Sequence, residues 1–191
     1  MLDVLSQWDQ AIFAFLNVTL ANPVTDLIMP VVTSDNLLRL GYAVAMLLLL
    51  WKGDRRMRRL VLFSAVALLI TDQVSAHLLK PFFERPRPCH IMEEINLLVN
   101  CGGGYAMPSS HAANAFGQAT LFALSYRQWR WYLWVFASVV AISRVFVGVH
   151  YPGDVLAGAA LGIGTGWMVF ALATVWLSKM HPRRENQKHG V

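Results

Sequence analysis

The chain has 191 residues, of which 56% are hydrophobic and 14% are charged. This balance excludes an ordinary soluble domain of the same size, because too much apolar surface would remain in contact with water. The formal net charge of +5 could indicate nucleic-acid binding, but the Lys and Arg residues fall in short blocks between long apolar runs. That distribution is typical of membrane topology, so we expect one integral membrane domain and no nucleic-acid partner.

Polar residues and prolines interrupt residues 1–36, which contain no Lys or Arg and make a poor spanning helix. Large apolar residues nevertheless recur at helical spacing within residues 7–20. We therefore expect that stretch to form an amphipathic helix on the membrane surface, followed by a short helix over residues 23–33. The segment lacks the basic start and the cleavage site of a signal peptide, so we expect it to be retained.

Further along the chain, five apolar stretches approach the roughly 20 residues that a bilayer requires. The sequence therefore predicts an all-α fold, a polytopic transmembrane helix bundle of about five to six spans with the interfacial segment at its N-terminus. The predicted spans are residues 37–51, 60–79, 108–126, 131–149 and 155–178. Three regions follow: surface helices at 1–36, a transmembrane domain at 37–178 and a basic cytoplasmic tail at 179–191.

Basic residues cluster after the first predicted span, after the third span and in the tail. Because Lys and Arg are retained on the cytoplasmic side, all three clusters are expected on that face. Their members are Lys52, Arg55, Arg56, Arg58 and Arg59, then Arg127 and Arg130, then Lys179, Arg183, Arg184 and Lys188. The connections 80–107 and 150–154 would then meet on the opposite face, which is periplasmic in a bacterial inner membrane.

The outer connection 80–107 contains both cysteines of the chain, Cys89 and Cys101. A disulfide would suit a periplasmic location, whereas two free thiols without a role fit the sequence equally well. The sequence leaves both alternatives open. The charged and polar residues of the same connection are expected to face water; these are His90, Glu93 and Glu94.

The first of three polar clusters occupies residues 80–88. It holds Lys80, Arg85 and Arg87 with fewer acids, on a backbone that three prolines stiffen. Such a concentration of cations favours an anion as the partner. For Lys80 alone, the alternative is a lysine at the end of a span that extends towards water.

The second cluster, residues 102–111, leads directly into the third predicted span. Pro108 can occupy the first turn of that helix, which leaves the backbone N–H groups of Ser109, Ser110 and His111 free to bind a phosphate. The alternative is that one of the two serines serves only as an N-cap.

The third cluster interrupts an apolar stretch with Arg144, His150 and Asp154. An arginine near a bilayer requires an anion to offset the cost of its charge. The Tyr-Pro-Gly turn between His150 and Asp154 can fold the carboxylate back onto the imidazole. A histidine held by an aspartate is suited to act as a nucleophile or a base.

The order and spacing of these clusters resemble the tripartite signature of the type 2 phosphatidic acid phosphatase and haloperoxidase superfamily, in its membrane-integrated lipid phosphatase branch. The matching residues are Lys80, Arg87, Pro88, Pro108, Ser109, Ser110, His111, Ser143, Arg144, His150 and Asp154. The resemblance covers about residues 60–178. Many members carry Gly where this chain has Ser110, a difference that bears on the shape of the pocket more than on its chemistry.

The resemblance implies hydrolysis of a phosphate through a phosphohistidine intermediate. The implied phosphate-binding residues are Lys80, Arg87, Ser109, Ser110 and Arg144, and the implied catalytic residues are His150 as nucleophile, Asp154 as its partner and His111 as the acid. Phosphoryl transfer by itself requires such parts: cations for the equatorial oxygens, an in-line nucleophile and an acid. A zinc site at His111 and His150 is disfavoured by the surplus of Lys and Arg, so we expect no metal and no cofactor.

A phosphate site at the membrane boundary suits an ester whose other end is a lipid. Among the substrates that the resemblance implies, we expect undecaprenyl diphosphate first, with phosphatidylglycerophosphate, phosphatidic acid and lipid A 1-phosphate as alternatives. A protein of another class, which binds or transports an anionic lipid without hydrolysis, would need the cations but not His150. A vanadate-holding haloperoxidase is disfavoured because those members are soluble. Membrane lipids are the only other partners expected, and the sequence does not determine the oligomeric state.

Two features of the predicted spans remain outside these clusters. Asp72 and His77 lie in the second span, where ionisable groups usually face the bundle interior. Asp72 could support the site, but we expect an interhelical hydrogen bond. Four glycines in the last span allow close helix packing; these are Gly158, Gly162, Gly164 and Gly166.

Overall fold

The computed structural model describes the backbone of residues 2–180 and the side chains of residues 4–179. This part of the chain is helical without a strand, so the all-α prediction is confirmed. The helices are α1 (Leu2–Ala14), α2 (Pro23–Val32), α3 (Asp35–Lys52), α4 (Arg55–Gln73), α5 (Lys80–Phe83), α6 (Pro88–Ile91), α7 (Ser110–Ser125), α8 (Arg130–Phe146) and α9 (Pro152–Met180). Two π-helical turns continue α1 and α4, over Phe15–Thr19 and Val74–Leu79.

The N-terminal segment forms the two predicted helices, which are bent by 113° relative to each other. Asn22 starts α2 with a capping box: its Oδ1 accepts the N–H of Thr25 at 3.2 Å, and the Thr25 hydroxyl accepts the N–H of Asn22 at 3.0 Å. Taken as one broken segment, the pair is long and apolar enough to cross a membrane. Its position on the membrane surface therefore stays a prediction.

Helices α3, α4, α7, α8 and α9 overlap the five predicted spans. Two helical runs are by themselves long and apolar enough to cross a bilayer, Arg55–Ile91 and Pro152–Lys179. Helices α7 and α8 are shorter, with 16 and 17 residues. Charged residues lie at both ends of α3. The number of spans and the boundaries of the three regions stay predictions, and most of the predicted basic tail, residues 181–191, lies outside the described residues.

Helix α7 lies at the centre of the bundle and packs against α9, α8 and α4, most extensively against α9. A core of Leu60, Ala67, Leu121 and Val169 joins α4, α7 and α9. Three of the four predicted packing glycines lie against backbone carbonyl oxygens of α7 or of its N-cap; these are Gly158, Gly162 and Gly166. The fourth, Gly164, has open space where a β-carbon would project.

The two ends of the bundle differ in charge and in chemistry. At one end, Arg56 donates to the Ser125 carbonyl at 2.9 Å and its guanidinium lies 5.2 Å from the Tyr126 ring centroid. The basic start of α4 therefore shares an end with the basic α7–α8 connection. At the other end, the hydroxyl groups of Ser75 and Ser110 lie 3.0 Å apart, which joins the end of α4 to the start of α7.

The outer connection is fixed at two points. Cys89 and Cys101 form a disulfide with their Cα atoms 6.0 Å apart, which decides between the two alternatives that the sequence left open. Asn17, fully buried, donates through Nδ2 to the carbonyl oxygens of Asn96, Val145 and Phe146 and accepts the N–H of Asn96 at 2.9 Å. One side chain of the N-terminal segment thus holds both the outer connection and the end of α8.

Candidate active site

The turn between α8 and α9 brings His150 and Asp154 together, as the sequence predicted. Both residues are buried, and His150 Nδ1 lies 3.5 Å from Asp154 Oδ2. This distance is too long for a hydrogen bond, so the carboxylate acts on the imidazole through its charge and orientation. Asp154 Oδ2 accepts the N–H of Tyr151 at 2.9 Å, which closes the turn. Because Nδ1 faces Asp154, Nε2 is the nitrogen available for chemistry.

Burial lowers the pKa of His150 from 6.5 to about 4, and the charges of Arg87 and Arg144 act in the same direction. The Asp154 carboxylate opposes this shift without cancelling it. The imidazole is therefore neutral at neutral pH and keeps the lone pair that a nucleophile requires.

Three cations from three parts of the chain form a cluster, and two of them, Arg87 and Arg144, are electrostatic neighbours of this histidine. Lys80 begins α5, Arg87 immediately precedes α6 and Arg144 lies in the last turn of α8. The two arginines are buried, and each is an electrostatic neighbour of Lys80. Arg87 donates from Nε to the Gly104 carbonyl at 3.3 Å, whereas Nε of Arg144 is buried without a hydrogen-bond partner. A buried cation with an unmatched donor provides a site for anion oxygens.

The start of α7 differs from the prediction in two respects. The helix begins at Ser110, so Pro108 precedes it instead of occupying its first turn. The N–H of Ser109 is not free, because it donates to the Asp154 carbonyl at 2.9 Å. This bond holds Ser109 in an extended conformation, with φ −71° and ψ 114°, and the helix starts one residue later.

The hydroxyl groups of the two serines have different surroundings. Ser109 Oγ is buried without a partner, as expected for a group that binds a ligand. Ser110 Oγ contacts Ser75 in the π-helical turn that continues α4. The Ser110 side chain is therefore taken up by a helix–helix contact, and its backbone N–H remains the group through which it can contact a phosphate.

His111, in the first turn of α7, has 17% of its side chain exposed. Its Nε2 lies 3.0 Å from Oδ1 of Asp35, the first residue of α3. Directly after the end of α2, the Thr33 hydroxyl accepts a hydrogen bond from Arg144 Nη1. The α2–α3 corner thus contacts two residues of the predicted site, and sequence reasoning missed both Thr33 and Asp35.

Arg85 was expected to join the anion-binding cluster, and the structure corrects this. Its guanidinium donates to Asp154 Oδ1 at 2.8 Å and to Asp9 Oδ2 at 2.6 Å. The anions that Arg85 binds are therefore two carboxylates of the protein itself. Asp9 was also missed, since in the sequence it is one of several acids in the N-terminal segment.

The remaining predictions about polar residues gave mixed results. Asn114 of α7 donates to Asp72 of α4 at 2.8 Å, so the predicted interhelical hydrogen bond is confirmed. His77 is exposed instead of facing the bundle interior, so that prediction was wrong. The outer-connection residues expected to face water are exposed; these are His90, Glu93 and Glu94. Among the described residues, Cys89, His90 and Cys101 lie within metal-ligand distance, but the disulfide occupies both sulfurs.

Comparison with known proteins agrees with this geometry. The family model described as PAP2 superfamily matches residues 60–177, which contain the cations, both histidines and Asp154. A lipid A 4'-phosphatase of Bacteroides thetaiotaomicron is 34% identical over 91% of this chain and 80% of its own length. The undecaprenyl-diphosphatase BcrC of Bacillus subtilis is 28% identical over 78% of this chain and 75% of its own length.

The architecture also has a counterpart among solved structures. The crystal structure of Aquifex aeolicus LpxE superimposes with a TM-score of 0.67 and 26% sequence identity, covering 85% of this chain and 94% of that one. The helical architecture and the matched region therefore indicate the same family. The chain belongs to the PAP2 superfamily.

Proposed function

We propose that this membrane protein hydrolyses a lipid phosphate through a covalent phosphohistidine at His150. The observation that carries the proposal is a neutral, buried imidazole held beside Asp154 and near Arg87 and Arg144, with Lys80 next to both arginines. Holding an anionic lipid would require the cations alone. The buried His–Asp pair adds the nucleophile that hydrolysis requires and binding does not.

In the proposed first step, Nε2 of His150 attacks phosphorus and the bond from phosphorus to the leaving oxygen breaks. The three cations stabilise the charge on the equatorial oxygens, with the Ser109 hydroxyl and the Ser110 N–H as further donors. His111 donates the proton that the leaving oxygen takes up. In the second step, water attacks the phosphohistidine, His111 removes the proton from this water, and free phosphate leaves while the imidazole is regenerated.

The substrate is proposed from location and similarity. A lipid phosphate suits a pocket at the end of an apolar bundle, and undecaprenyl diphosphate remains the first candidate. A lipid A phosphate is the second, because the similarity to the Bacteroides lipid A 4'-phosphatase extends over 91% of this chain. The two differ in the leaving group, which is a lipid monophosphate in the first case and a neutral sugar hydroxyl in the second.

We also propose a bacterial inner-membrane location with the site on the periplasmic face. Supporting this, the basic residues near Arg56 and Ser125 lie at the end of the bundle opposite the site. Basic residues remain on the cytoplasmic side of a membrane. The Cys89–Cys101 disulfide is suited to an oxidising compartment.

The deciding experiment measures phosphate release by purified protein in detergent from a panel of lipid phosphates: undecaprenyl diphosphate, lipid A, phosphatidylglycerophosphate and phosphatidic acid. His150→Ala should abolish release, and His90→Ala, an exposed histidine of the outer connection, should leave it unchanged. Acid-labile, alkali-stable phosphate bound to the wild type, but not to His150→Ala, would identify the intermediate. Near-normal turnover by His150→Ala would refute the mechanism.

A further inference from the structure

Asp9 of helix α1 contacts the turn 150–154, which carries His150 and Asp154. Asp9 lies outside the region that the family model matches. Asp9 Oδ2 lies 2.6 Å from Arg85 Nη2, and Arg85 Nη1 lies 2.8 Å from Asp154 Oδ1. Exposure of the three side chains is 13% for Asp9, 22% for Arg85 and none for Asp154. A carboxylate, a guanidinium and a second carboxylate therefore form a connected series that ends 3.5 Å from His150.

Neighbouring residues contact Asp9 and Arg85 closely. Asp9 Oδ1 also accepts the N–H of Gly153 at 2.7 Å. A β-carbon at Gly153 would lie 2.7 Å from Asp9 Oδ2 and 3.3 Å from Arg85 Nη1, so only glycine leaves room for both groups. The Arg85 guanidinium lies 4.3 Å from the centroid of the Tyr151 ring. The backbone carbonyl of Arg85 accepts the N–H of Ala106 at 2.7 Å. Arg85 is thus held on several sides in one orientation.

The charges of the series explain why two acids are present. Arg85 paired with Asp154 alone would neutralise the carboxylate on which His150 depends. Asp9 shares the guanidinium, so the three side chains together carry one negative charge. That charge faces the imidazole, which becomes positive as it bonds to phosphorus. Arg87 and Arg144 act on the same imidazole, and Lys80 lies near both arginines, so this negative charge stabilises a ring whose other charged neighbours are cations.

We propose that Asp9 and Arg85 are positioning residues for the nucleophile: they fix the second oxygen of Asp154 and preserve its negative charge. This inference rests on the proposed role of His150. It makes helix α1 part of the catalytic apparatus and not only a membrane-facing addition. Neither residue touches the substrate, so their loss should affect the chemical step and leave substrate binding nearly unchanged.

The experiment compares Asp9→Asn, Asp9→Glu and the wild type by kcat, KM and the single-turnover rate of phosphoenzyme formation. Asp9→Asn should lower kcat and the phosphoenzyme rate by about tenfold or more while KM changes by less than about threefold. Asp9→Glu, which restores the charge with a longer side chain, should recover part of the loss. Arg85→Gln combined with Asp9→Asn should cost less than the product of the single effects, because both act through Asp154.

Asp26→Asn is the matched control. Asp26 also links the N-terminal segment to the outer connection, by accepting from Asn96 Nδ2 at 2.9 Å, but it reaches no residue of the proposed site. Its kcat should equal that of the wild type. Equal losses of kcat in Asp9→Asn and Asp26→Asn would overturn the inference. They would indicate that activity depends on docking of the N-terminal segment in general and not on the contact of Asp9 with Arg85.

Normal kcat and a normal phosphoenzyme rate in Asp9→Asn would overturn the inference and leave the phosphohistidine mechanism intact. Activity in His150→Ala would instead refute that mechanism. If Asp9→Asn does not fold, Arg85→Lys decides, since lysine keeps the charge but lacks the planar fork that joins two carboxylates. A loss of kcat in folded Arg85→Lys supports the inference, and unchanged kcat overturns it.

Discussion

Gly162 of α9 packs directly against the carbonyl oxygen of Ala113 in α7, and a β-carbon at this glycine would overlap that oxygen. Gly162→Ala should therefore push apart α7, which begins directly after Ser109, and α9, which carries Asp154. Overpacking of this kind costs about 1–3 kcal/mol. Gly164→Ala is the control two residues further on, because a β-carbon there meets no atom within 4 Å. Thermal unfolding in detergent should show a clearly lower unfolding midpoint for Gly162→Ala only. Equal midpoints for both variants would contradict this packing.

Stability should depend on pH through His150. Its pKa is lowered to about 4 in the folded protein by burial, against 6.5 for an unperturbed histidine. The unfolded chain therefore binds a proton in a pH range where the folded protein does not, and stability falls as the pH falls from about 6.5 to about 4. His150→Asn removes this contribution. The difference between the unfolding midpoints of wild type and variant should change across that pH window, and a constant difference would show that His150 does not titrate in this way.

Catalysis should not require a divalent metal ion, because the proposed phosphate site offers lysine and arginine side chains where a metal would need carboxylates. EDTA should leave phosphate release essentially intact. Vanadate should inhibit, since its trigonal-bipyramidal form resembles the transferring phosphoryl group. Release measured with EDTA, with and without added divalent ions, is the check. Strong loss in EDTA that a divalent ion restores would count against the mechanism.

The orientation in the membrane can be tested with single cysteines in a background where Cys89 and Cys101 are replaced by serine. Glu93→Cys, in the outer connection, should react with an impermeant thiol reagent in intact spheroplasts. Gln128→Cys, exposed in the basic connection before α8, should react only after lysis. Moving a Lys or Arg across the bilayer costs about 2.5–3.5 kcal/mol on insertion scales, which makes the reverse orientation unfavourable. The opposite labelling pattern would place the site in the cytoplasm.

The parts of the site that the sequence predicted share one property: their residues lie at fixed short spacings. His150 and Asp154 are separated by three residues that form a single turn, so local backbone geometry determines that they meet. The long apolar stretches likewise predicted the positions of the long helices. The exact start of α7 escaped prediction because it depends on the hydrogen bond from Ser109 to Asp154, a contact between two separate clusters.

The supporting residues could not be predicted for a related reason. Asp9, Thr33 and Asp35 reach the site through tertiary contacts over 76 to 144 residues. An acid at such a distance resembles every other surface acid in the sequence. Arg85 could be predicted only in part for the same reason. Its position in a basic cluster predicted that it binds an anion but could not show that this anion is Asp154.

The buried Asn17 has a consequence for the order in which the protein is assembled. Asn17 is synthesised well before its acceptors at Val145 and Phe146, which lie 128 and 129 residues further along the chain. Contacts at such separation form only after the intervening chain has been inserted. The turn that carries His150 follows directly after those acceptors. The pocket is therefore completed only after the segment that follows α8 has been made, and a shorter nascent chain contains no finished site.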